Sequence, residues 1–183
     1  MKQIFYGADL FDGERIIKDH ALVVEDGFIK ALIPFSERPH DGEMIDLAGG
    51  TLSPGFIDIQ VNGGGGTLFN EDPTPEGIAA IADAHRRFGT TALLPTVITD
   101  HPKIIDDALH ATRIARETRR DIVGIHVEGP FIDLVKKGAH PANYIRTLTQ
   151  ADIVHLSEAR SGVLLLTLAP NKVTPDQICA LTR

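Results

Sequence analysis

Three polar side chains, Asp58, Gln60 and Asn62, alternate along the run Phe56-Ile57-Asp58-Ile59-Gln60-Val61-Asn62. Neighbouring side chains of a β-strand point to opposite faces, so a strand here puts these three on one face and sends Ile57, Ile59 and Val61 towards covering helices. Polar groups in register on an inward face are costly unless they are paired, which favours ligand contacts over strand-end bonds to loops. A second constellation is His126-Val127-Glu128-Gly129-Pro130-Phe131. Glu128 ends an apolar run, where a carboxylate serves either as a metal ligand or as the buried partner of an arginine. Gly129-Pro130 turns the chain and fixes the direction of that carboxylate. His126, two residues earlier, shares its face, and a lone histidine on a core strand reads as a hydrogen-bonded structural group rather than a ligand. The segment Lys136-Lys137-Gly138-Ala139-His140 is either a solvated basic loop or a substrate-contacting one. The other histidines (His20, His40, His85, His101, His110 and His155) read as surface or packing groups. G-x-S-x-G and H-E-x-x-H are absent, and Cys179 has no activating motif beside it, so nothing supports a nucleophilic hydrolase.

The elements that must position these residues change character near residues 48–54. Up to about residue 50 the chain reads as β, with apolar runs flanking Asp26-Gly27, a pair suited to a two-residue hairpin because both positions need φ > 0. From Gly55 the pattern alternates strand and helix. Strands are expected over Gly55–Asn62, Thr91–Ile98, Ile122–Glu128 and Val163–Ala169. Helices are expected from Pro75 through Ile78, Ile81, Ala82, His85 and Phe88, with Gly89 as stop; after Asp100; over Thr149–Ala159; and from Thr174 to Arg183. Continuous apolar strands indicate a parallel sheet covered by helices, an α/β fold. Gly63-Gly64-Gly65-Gly66 matches neither G-x-G-x-x-G nor a P-loop, which counts against an open dinucleotide-binding sheet. Polar residues at strand C-terminal ends favour a TIM-type (β/α)8 barrel. About 130 residues remain after the β segment, against about 250 for a full barrel. The expectation is a partial barrel of four βα units (residues 51–183) after a small β segment (1–50), as the first half of a longer protein or a half completed by a second copy.

The 183 residues carry 18 basic and 25 acidic side chains, a net charge of −7, with 43% apolar and 5% aromatic content. Such a chain can bury a core, and its acidity disfavours nucleic acid as a partner. The densest apolar stretch, Val163–Leu168, is far short of the ~20 residues of a membrane span. The N-terminus has no apolar core of a signal peptide. One cysteine excludes an internal disulfide and a Cys-rich zinc site. A cytoplasmic location is expected.

Ser53-Pro54-Gly55-Phe56-Ile57-Asp58-Ile59-Gln60-Val61-Asn62-Gly63-Gly64-Gly65-Gly66 closely resembles the strand-one signature of N-acetylglucosamine-6-phosphate deacetylases of the amidohydrolase superfamily. Phe88-Gly89-Thr90-Thr91, Leu94-Pro95-Thr96, His126-Val127-Glu128-Gly129-Pro130-Phe131 and Lys137-Gly138-Ala139-His140 resemble the next blocks in order, so the likeness spans essentially the whole chain. The resemblance implies a metal-bearing (β/α)8 barrel with a small β-sandwich built from both chain ends. It also implies hydrolysis of the acetamide of a phosphorylated amino-sugar substrate to glucosamine 6-phosphate and acetate. Gln60 and Asn62 stand where most amidohydrolases have His-x-His, which implies a single divalent ion, zinc being the expected one. The same likeness makes Glu128 a metal ligand and Ala139 and His140 substrate contacts. It places the general-base Asp, two further His ligands and a phosphate-gripping Arg beyond Arg183, so the chain alone is expected to be inactive, and a full-length form to be a homo-oligomer, dimer or tetramer. The alternatives are another amidohydrolase acting on a cyclic amide, or a non-catalytic scaffold of this fold.

Overall fold

A computed structural model describes residues 1–182, and the chain divides into two compact units, Met1–Pro54 and Gly55–Arg183. The first unit is built of short strands: β1 (Lys2–Tyr6), β2 (Asp9–Phe11), β3 (Ile16–Ile17), β4 (His20–Glu25), β5 (Phe28–Pro34), β6 (Glu43–Asp46) and β7 (Thr51–Leu52). They form a four-stranded sheet in the order β5-β4-β1-β6 and a three-stranded sheet in the order β3-β2-β7. Asp26 and Gly27 join β4 to β5 with φ of 52° and 81°, the two positive angles a tight hairpin demands. Ile4, Leu10, Ala21 and Val23 are its buried apolar residues.

In the second unit, β8 (Phe56–Val61) is followed by a small hairpin of β9 (Gly63–Gly64) and β10 (Thr67–Leu68). Then come α1 (Pro75–Arg86), β11 (Thr90–Ile98), α2 (Pro102–Thr118), β12 (Gly124–Glu128), α3 (Gln150–Glu158), β13 (Val163–Thr167) and α4 (Pro175–Leu181). Four strands make one sheet in the order β13-β12-β11-β8, and every pair is parallel. The helices start where the local chemistry allows. Thr74, Thr149 and Thr174 each accept an amide of the first turn, and Pro75, Pro102 and Pro175 occupy positions whose N–H would have no helical partner. His101 caps α2 by accepting from the Lys103 N–H.

The core lies between the sheet and its helices. Ile78, Ile81 and Ala82 of α1 and Ala108, Leu109 and Ala115 of α2 cluster with Leu93, Val97, Ile125 and Val127. Each large side chain so buried contributes about 1.5–3 kcal/mol.

Several expectations shift. Helix α1 stops at Arg86, and Phe88, expected on its buried face, lies past its end and is 81% exposed. Gly89 follows with φ of 94°, a reversal that sends the chain into β11 and ends any helical continuation. Ile57 and Ile59, expected under helices, are 70% and 57% exposed, while Val61 is 2% exposed. The cause is the edge position of β8: α1 packs on β11 and α2 on β12, leaving the upstream part of β8 uncovered among the described residues. Ile122 contributes only an isolated bridge to Leu93, and β12 begins at Gly124. The expected helix end at Arg183 lies outside the described residues.

Candidate active site

The C-terminal ends of β8, β11 and β12 bring three of the predicted residues, Gln60, Glu128 and His140, together. Pairing of β8 with β11 slips twice, and its last partners are Pro95 and Val61. Pro95 has no N–H to give. The slip turns Gln60 towards β12, where its Nε2 donates to Glu128 Oε2 at 3.2 Å. Asp58, on the same strand, stays local and accepts from the Gln60 N–H at 3.1 Å. Asn62 sits just past the strand and holds the β9–β10 hairpin through its main-chain carbonyl, which accepts from the Phe69 N–H at 2.9 Å.

The Glu128 side chain is 22% exposed, and its Oε1 lies 3.8 Å from His140 Nε2. Among the described residues no arginine pairs with it. The main chain beside it is pinned twice: Thr99 N–H donates to the Glu128 carbonyl at 2.9 Å, and Gly129 N–H to the Thr167 carbonyl at 3.0 Å. Gly129 has φ of 85°, and a Cβ there would sit 2.2 Å from Thr99 Oγ1, so only glycine fits this turn.

His140 is placed by the same threonine. Its Nδ1 accepts from the Thr99 N–H at 3.3 Å and lies 2.8 Å from Thr99 Oγ1. The ring's other nitrogen, Nε2, faces Glu128. Lys137, in the loop before it, donates its ammonium to the carbonyls of Gly138 and His140, bracing the loop. Ala139 is exposed between them.

His126 is 2% exposed and fully bonded, with Nδ1 3.2 Å from Thr96 Oγ1 and Nε2 2.8 Å from Thr167 Oγ1. Burial pushes its pKa down, against the opposing pull of Glu128, so the ring is neutral. This is the structural role the sequence reading preferred. The threonines that place the site, Thr96, Thr99 and Thr167, were not singled out for a role. Nor was Asn70, which bonds Asp100 and both main-chain polar groups of Ile98. The available signal was hydroxyl residues inside otherwise apolar strand ends.

A divalent ion fits this arrangement in part. Glu128 offers a carboxylate at a strand end, and the Gln60 amide is a weaker oxygen donor beside it. A catalytic zinc takes three protein ligands, and among the described residues no three His, Cys, Asp or Glu side chains converge.

Residues 51–181 match the amidohydrolase family and residues 5–52 match the NagA composite domain. A Shewanella sp. (strain ANA-3) protein named N-acetylgalactosamine-6-phosphate deacetylase is 41% identical over 94% of this chain and 44% of its own length. A Haemophilus influenzae protein named N-acetylglucosamine-6-phosphate deacetylase is 31% identical over 98% of this chain and 49% of its own. The crystal structure of N-acetylglucosamine-6-phosphate deacetylase from Pasteurella multocida superimposes with a TM-score of 0.91 at 31% identity, covering 98% of this chain and 49% of that one. The chain thus spans less than half the length of the relatives it matches.

Proposed function

The chain belongs to the amidohydrolase family, and from that premise we propose that it forms the N-terminal half of a deacetylase that hydrolyses the acetamide of N-acetylglucosamine 6-phosphate in amino-sugar catabolism. The observation that carries the reading is the convergence of Gln60, Glu128 and His140 at the C-terminal ends of parallel strands, where barrel enzymes assemble their sites. The strands β8, β11, β12 and β13 neighbour one another in chain order. Such an order supports four consecutive units of a (β/α)8 barrel, since a doubly wound sheet reverses direction at a switch point. Residues 1–50 then form part of a small β-sandwich and residues 51–183 the first half of the barrel.

In this reading Glu128 is one ligand of a single divalent ion, zinc in the first instance, and Gln60 orients its carboxylate. Such an ion, when bound, lowers the pKa of a water and polarises the acetamide carbonyl. His140 and Ala139 contact the phosphorylated sugar. The catalytic base and the remaining ligands belong to sequence beyond Arg183. Water adds to the acetamide carbon, the C–N bond breaks, and acetate leaves with the free amino-sugar phosphate. The complete protein is read as a cytoplasmic homo-oligomer.

A second reading, N-acetylgalactosamine 6-phosphate as substrate, is favoured by the 41% identity to the relative of that name. The two sugars differ only in the configuration at C4, so one experiment separates them. The complete metal-loaded protein is assayed for acetate release from each sugar phosphate. Release from the gluco epimer supports the first reading and preference for the galacto epimer the second. A folded, metal-loaded protein that releases acetate from neither overturns both.

A further inference from the structure

A chain of side-chain hydrogen bonds crosses the parallel sheet just below the site, and the reaction proposed above makes no use of it. It starts where the β8–β11 ladder is irregular. The Val61 N–H, which a regular ladder would pair with a main-chain carbonyl, donates instead to Thr96 Oγ1 at 2.9 Å. His126 stands opposite Thr96 in register and takes the next bond at Nδ1, 3.2 Å away. On the other side its neighbour in register is Leu165, yet its Nε2 reaches diagonally to Thr167 Oγ1 at 2.8 Å. Thr167 is the residue opposite Glu128. One imidazole therefore ties β8, β11, β12 and β13 together.

The main chain does not fix this spacing by itself. Strands β11 and β12 pair regularly through Ile98 and Glu128, but β8 has slipped in register by the time it delivers Gln60. Irregular pairing of this kind re-aims side chains beside active sites and needs its own support. Thr96 and His126 are 0% and 2% exposed, so no solvent competes for their bonds, and both ring nitrogens are occupied.

We propose that His126 is a positioning residue: through Thr96 it holds the end of β8 at the distance from β12 at which Gln60 meets the Glu128 carboxylate. The importance of that carboxylate rests on the deacetylase reading; the spacing does not.

The test uses the complete protein with His126→Leu, which removes both ring bonds, and His126→Asn, which keeps a polar atom where Nδ1 lies. In folded, metal-saturated protein, His126→Leu should lower kcat by about 10–100-fold, the usual effect of removing an outer partner of a ligand. KM should change less than about threefold, because no substrate contact is lost. His126→Asn should recover most of the lost kcat. A purely structural role would lower the melting temperature of both variants and leave kcat per folded molecule near wild type, and that result overturns the proposal. A crystal structure of His126→Leu gives a readout independent of activity. Separation of Gln60 Nε2 from Glu128 Oε2 beyond hydrogen-bonding distance supports the proposal, and an unchanged 3.2 Å contact overturns it. If wild type releases no acetate, the deacetylase reading fails and this structural comparison alone decides. If His126→Leu does not fold, Thr96→Val, which cuts the ring from β8 and leaves its bond to Thr167, carries the same two tests.

Discussion

Thr99 holds His140 with both of its polar groups: its N–H donates to Nδ1 at 3.3 Å, and its hydroxyl oxygen lies 2.8 Å from the same nitrogen. The pairing fastens the loop that carries Ala139 and His140 to the end of β11. It also aims Nε2 at Glu128, 3.8 Å away.

If His140 contacts substrate, that grip should appear in KM. Thr99→Val, equal in size but without the hydroxyl, should raise KM for the sugar phosphate about tenfold, and Thr99→Ser should restore it to within about threefold. His140→Ala should raise KM at least as much while metal content stays at the wild-type level. Unchanged steady-state kinetics in both would remove His140 from the binding site.

Glu128→Gln keeps the shape of the side chain and removes its charge. The variant should lose bound metal, read by elemental analysis, and acetate release together. Wild-type metal content with lost activity would assign Glu128 to another task.

The Arg146–Asp152 pair gives a stability prediction with a definite sign. Burial would raise the Asp152 pKa, but hydrogen bonds from Arg146 and from Thr149 outweigh it and hold the carboxyl at about 2. A depressed carboxyl stabilises the fold above its unfolded pKa, and that contribution disappears as pH falls from about 4 through about 2. With Arg146 half-exposed, it should amount to on the order of 1–2 kcal/mol. Denaturant unfolding at pH 6 and pH 2.5 should show the loss in wild type, and Asp152→Asn should be less stable at pH 6 and flatter with pH. Equal slopes for the two proteins would refute it.

Ile57 and Ile59 stand exposed on edge strand β8. In a barrel completed by further units they would be covered, each contributing about 1.5–3 kcal/mol. The 183-residue chain alone should therefore self-associate in sedimentation experiments, and Ile57→Lys with Ile59→Lys should suppress this. The same pair of changes should lower the melting temperature of the complete protein. A monomeric isolated chain, together with a complete protein indifferent to both lysines, would make this an ordinary surface.

Much of the second unit was legible from local chemistry. The period of Ile78, Ile81 and Ala82 and the stop at Gly89 marked the first helix, and continuous apolar runs marked the strands. The Asp26-Gly27 hairpin followed from its need for two positive φ angles. Phe88 misled because helical spacing alone does not reveal that Gly89 must already be turning the chain. Ile57 and Ile59 misled because alternation predicts which face a side chain takes, not whether anything lies against that face.

The site divides along the same line. Residue types and their spacing nominated Glu128 and Gln60, because carboxylate and amide chemistry is written in the side chains themselves, whereas His140 was nominated by resemblance to the deacetylase family. Tertiary structure alone decided that Gln60 bonds Glu128 across 68 residues of chain, that Thr99 rather than solvent holds His140, and that Thr96 and Thr167 share the His126 ring. Hydrogen bonds act over about 3 Å. Which groups come that close depends on strand register and on a local slip at Pro95, and both are set by the packing of the sheet as a whole.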